Sequence, residues 1–179
     1  PETITRLGVP VDYCPGRGGI KNLWAMAYHP EKHAFYIPLT HGSSEGAIYP
    51  EMPDEPRLGA SAYGPSVRPF AVHPDSPDHL GDFVAMDSQT GAMLWRRRSR
   101  FPYGTSALTT GGGLVFVGDF DRYFYALDID DGQQLWHARL PMPLDGFPIT
   151  YAVNGRQYIA VASGPGWFVA WPNVRDVFP

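Results

Sequence analysis

Ala85-Met86-Asp87-Ser88-Gln89-Thr90-Gly91-Ala92-Met93-Leu94-Trp95 and Ala126-Leu127-Asp128-Ile129-Asp130-Asp131-Gly132-Gln133-Gln134-Leu135-Trp136 share one frame. Both read A-x-D-x-x-x-G-x-x-x-W, and every matched position is displaced by 41 residues. The frame has the logic of a hairpin. Val84 to Asp87 and Tyr123 to Asp128 are predicted strands. The aspartate can hold the turn backbone, and Gly91 and Gly132 supply positive φ where the chain reverses. The strand after each turn carries an indole placed to dock on a neighbouring unit. A repeat of about 40–45 residues is that of a four-stranded propeller blade.

The rest of the sequence agrees with an all-β chain. Strands are predicted at Leu114–Val117, Phe147–Val153 and Gln157–Ala162, with Asn154-Gly155 joining the last two as a two-residue hairpin turn. Asn22–His29 and Ala34–Pro38 read as two more, joined by a Pro-Glu-Lys turn. Residues from about 40 to 80 form a long proline-rich loop with little alternation, suited to a lid, a subunit contact or a plain insertion. No stretch combines helical periodicity with convincing caps.

Composition supports this reading and removes several others. Of 179 residues, 20 are Gly and 19 Pro, without a fixed period; this excludes collagen and implies many turns. Hydrophobic residues make up 44% and charged residues 18%, which argues against disorder. A formal charge of −4 does not suggest nucleic acid or an anionic membrane as the main partner. No apolar run is long enough for a membrane span. The one cysteine, Cys14, sets no redox compartment. At this period the chain holds about three to three and a half blades, whereas propellers usually have about 4–8. The missing blades are therefore expected from another chain or from a segment preceding Pro1.

Further motifs follow in order along the chain. They are Tyr13-Cys14-Pro15 with Gly18-Gly19-Ile20-Lys21-Asn22-Leu23-Trp24, then Met26-Ala27-Tyr28-His29-Pro30 and Tyr36-Ile37-Pro38. Thr109-Thr110 through Leu114-Val115-Phe116-Val117-Gly118 comes next, and then Gly146-Phe147-Pro148-Ile149-Thr150-Tyr151 through Gly155-Arg156-Gln157-Tyr158-Ile159-Ala160-Val161 and Gly164. In this order the set resembles the C-terminal portion of the pyrroloquinoline quinone (PQQ)-dependent alcohol dehydrogenases. That resemblance implies part of an eight-bladed β-propeller with tryptophan-docking motifs. It also implies a periplasmic enzyme that oxidises an alcohol, aldehyde or sugar and passes electrons to a cytochrome c-like acceptor. The implied cofactors are PQQ and calcium or a lanthanide. The metal ligands and catalytic aspartate would lie outside this chain, in an N-terminal portion present as a separate chain.

The resemblance also nominates site residues. Asn22 matches the family's asparagine that hydrogen-bonds the quinone; a neutral amide both donates and accepts. Its plainer role is to cap the turn after Gly18-Gly19. The family pattern is Asn-Trp and this chain reads Asn22-Leu23-Trp24, so either Leu23 or Trp24 follows Asn22 into the pocket wall. Tyr103, before Gly104, falls where relatives carry a tryptophan supporting the flat cofactor, and an aromatic face suits a conjugated ring. Gly166-Trp167 resembles a Gly-Trp pair whose backbone lies against PQQ. No catalytic or metal-ligating residue is nominated. Trp95 and Trp136 are structural, and His29, His33 and His41 read as core or solvated side chains, since Pro30 breaks any helix that would align them. Arg96-Arg97-Arg98-Ser99-Arg100 reads as a solvated strand edge. Two alternatives stay open: a non-catalytic propeller scaffold and a PQQ-less quinoprotein homologue.

Overall fold

The computed structural model describes residues 9–16, 18–46 and 68–164, and every regular element among them is a strand. Two four-stranded antiparallel sheets carry the repeat. The first runs β2 (Ala27–His29), β3 (Ala34–Thr40), β6 (Gly81–Asp87) and β7 (Met93–Ser99), in that spatial order. The second runs β8 (Leu108–Thr110), β9 (Leu114–Gly118), β10 (Tyr123–Asp128) and β11 (Gln134–Arg139). These are two propeller blades, and the repeat maps onto the same β6–β7 and β10–β11 hairpins.

The shared residues do the same work in both. Asp87 Oδ1 accepts from the amides of Gln89 and Thr90 at 2.9 and 2.7 Å, and Asp128 Oδ1 accepts from the amide of Asp130 at 2.8 Å. The amides of Gly91 and Gly132 each donate to the aspartate carbonyl at 3.0 Å. The two glycines have φ of 72° and 73°, in the left-handed region. Even the register shift repeats, between Ala85 and Met86 in one blade and between Ala126 and Leu127 in the other.

Trp95 joins the blades. Its indole N–H donates to the Ile129 carbonyl at 3.1 Å, and its ring lies on Gly132, where a Cβ would sit 2.7 Å from Cε3. Behind it an apolar cluster spans the junction: Ala34, Tyr36, Phe83 and Ala85 from the first blade, Val115, Val117, Leu127 and Ile129 from the second, with Tyr103 between them. Each large side chain buried there is worth about 1.5–3 kcal/mol. The other face of the second blade, Phe116, Phe124 and Ala126, packs with Leu144 and meets Ile159 and Val161 of the next unit. Alternation along β9 therefore serves two interfaces: Val115 and Val117 face one neighbour and Phe116 the other.

That next unit is a hairpin, β12 (Ile149–Val153) and β13 (Arg156–Ala160), with Val153 opposite Arg156. Asn154 and Gly155 have φ of 51° and 76°, the two positive values of a type I′ turn. Its strand β12 is exposed, and Trp136, the period mate of Trp95, is 51% exposed.

Elsewhere the sequence reading needs correcting. Asn22–His29 is a strand only from Ala27, because residues 18–24 close a loop through their own polar groups. The stretch at 40–80 is not all loop. It contains β4 (Gly42–Gly46) and β5 (Arg68–Val72), and β4 pairs with β5 on one side and with β1 (Val11–Tyr13) on the other as a small separate sheet. Gly-Ser-Ser-Glu-Gly has no apolar alternation to announce a strand.

Gly132→Ala should lower unfolding free energy by about 2–4 kcal/mol, since it adds a methyl against the indole to the strain of a left-handed alanine. Gly155→Ala, with nothing within 4 Å of its Cβ position, should cost only about 1–2 kcal/mol. Urea unfolding of the two variants side by side measures the difference.

Candidate functional site

The first blade fixes where the Asn22 loop lies. Ala27 at the start of β2 pairs with Tyr36, whereas Thr40 at the end of β3 pairs with Gly81 at the start of β6. The residues before β2 and the junctions at Thr40 and Gly81 thus share one end of the blade. Backbone hydrogen bonds fasten them together: Thr40 N donates to Ile20 O, and Gly16 N to Gly42 O, both at 2.8 Å. Gly16 is required there, since a Cβ would stand 2.9 Å from Ser44 Oγ.

Within the loop Asn22 is exposed, and its Nδ2 donates to the Gly18 carbonyl at 3.0 Å. This is the turn-capping role open to it. The bond leaves one amide hydrogen and Oδ1 for another partner. Lys21 Nζ donates to the carbonyls of Trp24 and, at 3.4 Å, Asn22. Partial desolvation holds the Lys21 ammonium below its ordinary value. The following pair divides. Leu23 is 48% exposed, while Trp24 is 6% exposed, donating to Asp145 Oδ1 at 3.3 Å and meeting Phe120 edge-on at 5.7 Å. Trp24 therefore ties the loop to the second blade, and Leu23 and Asn22 form its outer surface.

A lateral ladder continues from blade to blade beside it. Ala107 N donates to Ala25 O at 3.0 Å, Ala25 N to Ser106 Oγ at 2.7 Å, and Ser106 N to Gly146 O at 2.9 Å. Gly146 N returns to Gly104 O at 3.2 Å. Gly104 admits no side chain, because a Cβ would lie 2.2 Å from Leu144 O and 2.4 Å from Phe120 Cε1. Sequence reasoning missed Ser106, Asp145 and Lys21. Of these only Lys21 carried a signal, its place beside Asn22; the other two act across 81 and 121 residues of chain.

Tyr103 is fully buried, with its ring 5.5 Å from that of Phe83 in the inter-blade cluster. Burial drives its phenol well above the usual tyrosine range. Its backbone forms an isolated β-bridge with Asp119, which follows β9 and accepts from the Tyr123 amide at 3.0 Å and the Tyr125 hydroxyl at 2.8 Å. Burial outweighs these donors and pushes the Asp119 carboxyl up to about 6. Gly166 and Trp167 lie outside the described residues. Among the described residues no group of three or more His, Cys, Asp or Glu is arranged to hold a metal ion.

Residues 11–159 match the family model described as PQQ: glucose/ethanol/alcohol dehydrogenase, beta-propeller domain. The chain is 33% identical to the lanthanide-dependent methanol dehydrogenase of Methylacidiphilum fumariolicum (strain SolV), over 94% of its own length and 28% of that protein's. It is 32% identical to methanol dehydrogenase [cytochrome c] subunit 1 of Methylobacterium organophilum, over 99% of its length and 28% of the relative's. It superposes on the structure of a europium-containing methanol dehydrogenase with a TM-score of 0.72 at 26% identity, covering 97% of this chain and 32% of that one. The chain thus spans little more than a quarter of the curated relatives it matches.

The raised Asp119 gives a pH dependence with a definite sign. Its folded value of about 6 exceeds the ordinary 3.8, so the folded state binds the extra proton between them. The stability it contributes is fully present below 3.8 and is lost as pH rises through about 6. Over that window stability should fall by up to about 1.4 kcal/mol per pH unit from this group. Unfolding midpoints of Asp119→Asn should be flatter than wild type between pH 4 and 7.

Proposed function

As the chain belongs to the PQQ-dependent glucose/ethanol/alcohol dehydrogenase β-propeller family, we propose that it is the C-terminal part of a quinoprotein dehydrogenase oxidising an alcohol, aldehyde or sugar. The observation that carries this is the extent of the family match. It takes in both docked blades and the loop bearing Asn22, not one repeat alone. The remaining blades come from an N-terminal portion of the same enzyme and bring the catalytic aspartate and the ligands for calcium or a lanthanide. A methanol dehydrogenase relative named for a lanthanide and another named for cytochrome c support this metal class and a cytochrome c-like acceptor. No helix of the described residues is long and apolar enough to cross a membrane. A periplasmic location is part of the same proposal.

The chemistry of the donor set fits the cofactor. PQQ is flat, conjugated and anionic; when bound it supplies the two-electron redox chemistry, and the protein contributes position and electrostatics. Asn22 offers a hydrogen-bond acceptor and donor beside the Lys21 ammonium, with the exposed Leu23 as an apolar edge. In this reading Asn22 orients the cofactor's polar rim, Lys21 holds the loop carbonyls and adds positive charge, and Leu23 excludes water from one side. Trp24 and Tyr103 act from behind. Trp24 anchors the loop through Asp145, and Tyr103 fills the core beneath the lateral ladder. The family resemblance extends the proposal to Gly166-Trp167 as a further cofactor contact.

Native followed by denaturing mass spectrometry of the purified enzyme tests the assignment. A particle holding the remaining blades, one PQQ and one metal ion, and reducing an artificial acceptor with alcohol, is the expected outcome. A lone folded chain or a self-assembled ring without cofactor would give the scaffold reading its place. In the apoenzyme, Asn22→Leu should weaken PQQ binding, read by tryptophan fluorescence quenching, by about tenfold; one lost hydrogen bond to a charged group is worth about 1.5–3 kcal/mol.

A further inference from the structure

His41 sits between the two residues that hold the Asn22 loop. The Thr40 amide grips Ile20, the Gly42 carbonyl grips Gly16, and the His41 amide itself donates to the Leu80 carbonyl at 2.6 Å. Its imidazole is the centre of a knot. It stacks on His79 at 5.4 Å with 12° between planes, and meets His73 at 4.7 Å. Beneath them is the buried carboxylate of Asp82. Arg96 Nε donates to its Oδ1 at 3.0 Å, while His41 Nδ1 and His79 Nε2 stand 3.7 Å from its two oxygens.

The polar contacts around the rings bear on where an added proton can go. His73 Nδ1 accepts from the Asp75 amide at 3.1 Å, which a protonated nitrogen cannot do. His79 is 3% exposed, and its Nε2 has no hydrogen-bond partner. Asp82, the buried anion of the knot, is already engaged by a guanidinium. The other charges facing the knot are Asp75 beside His73, Asp78 with its Oδ1 2.9 Å from His79 Nδ1, and Arg98, which acts on Asp78.

We propose that protonation of this histidine knot releases the loop carrying Asn22, and that His41 is a positioning residue for that loop. One added proton can be shared with Asp82. A second places two imidazolium ions 4.7–5.4 Å apart next to Arg96, and breaks the His73–Asp75 turn if it falls on His73. The rings must then separate, and the Thr40 and Gly42 anchors lie on either side of the ring that moves. Burial first, and then the neighbouring His73, His79 and Arg96 against the pull of Asp82, hold His41 below the ordinary 6.5. The stability so contributed is present above 6.5 and is lost as pH falls through the lower folded value. The release stands on the knot alone; only its consequence for cofactor binding rests on the role given to Asn22 above.

Hydrogen exchange of the complete enzyme at pH 7.5 and 5.5, corrected for intrinsic rates, tests this. Peptides covering residues 14–24 and 38–46 should exchange at least tenfold faster at the lower pH, relative to a reference peptide over 114–128. His41→Gln should shrink that ratio at least threefold. His73→Gln should shrink it too, and offers a more exposed position should the first variant fail to fold. An unchanged wild-type ratio, or the same ratio in a folded variant, overturns the proposal. PQQ binding by the apoenzyme is measured at the same two pH values. A released loop with unchanged affinity supports the knot and removes Asn22 from the cofactor site; a released loop with weakened affinity supports both.

Discussion

Two separately paired four-stranded sheets become one structure where the Trp95 indole lies on the Gly132 backbone. The contact needs three things at once: a ring large enough to cross the gap, a donor to cap the Ile129 carbonyl, and a residue without Cβ beneath it. Each is supplied by a position of the repeat or its neighbour. The Asp-to-Gly turn is therefore more than a chain reversal, because it presents the flat peptide surface on which the next indole rests. Behind this contact the apolar cluster closes and Tyr103 is sealed. With the blades held at that spacing, the ladder from Ala25 through Ser106 to Gly146 comes within hydrogen-bond reach.

The loop with Asn22 depends on this arrangement twice. Trp24 reaches Asp145 only because successive blades stand side by side, and Ile20 and Gly16 are held only because β3 runs on past the blade into β4. A segment with few regular hydrogen bonds of its own is thus fixed from both sides, as an orienting group requires. Its polar atoms are divided accordingly. Asn22 Nδ2 serves the loop through its bond to Gly18, which leaves Oδ1 and one amide hydrogen for another partner.

Much of the architecture was legible because the repeat is a local code. Asp87 and Gly91, or Asp128 and Gly132, meet within one turn, so spacing alone reveals their partnership. Asn154-Gly155 is legible for the same reason. The small sheet was not, since β4 is built from Gly, Ser and Glu and takes its identity from pairing with β1 and β5. The candidate site splits along the same line. Asn22 stands out by motif, but nothing near Trp24 in sequence announces Asp145. Nothing near His41 announces His73 or His79 either, because the intervening strands bring them together.

The two buried carboxylates at this end of the blades show how a charge can be kept inside in different ways. Asp82 has a guanidinium at 3.0 Å, so the pair enters the interior nearly neutral. Asp119 is held by backbone amides and a phenol, all of them neutral donors. Hydrogen bonds alone do not replace the lost hydration, and its carboxyl rises to about 6. The consequences run in opposite directions. Near Asp82 burial holds His41 below its ordinary value, so gaining a proton opposes its packing. At Asp119 gaining a proton removes a buried charge and favours the fold. Acidification therefore favours the second blade at its core while opposing the packing of the junction that carries the Asn22 loop, and burial is the leading cause at both sites, acting on an acid at one and on a base at the other.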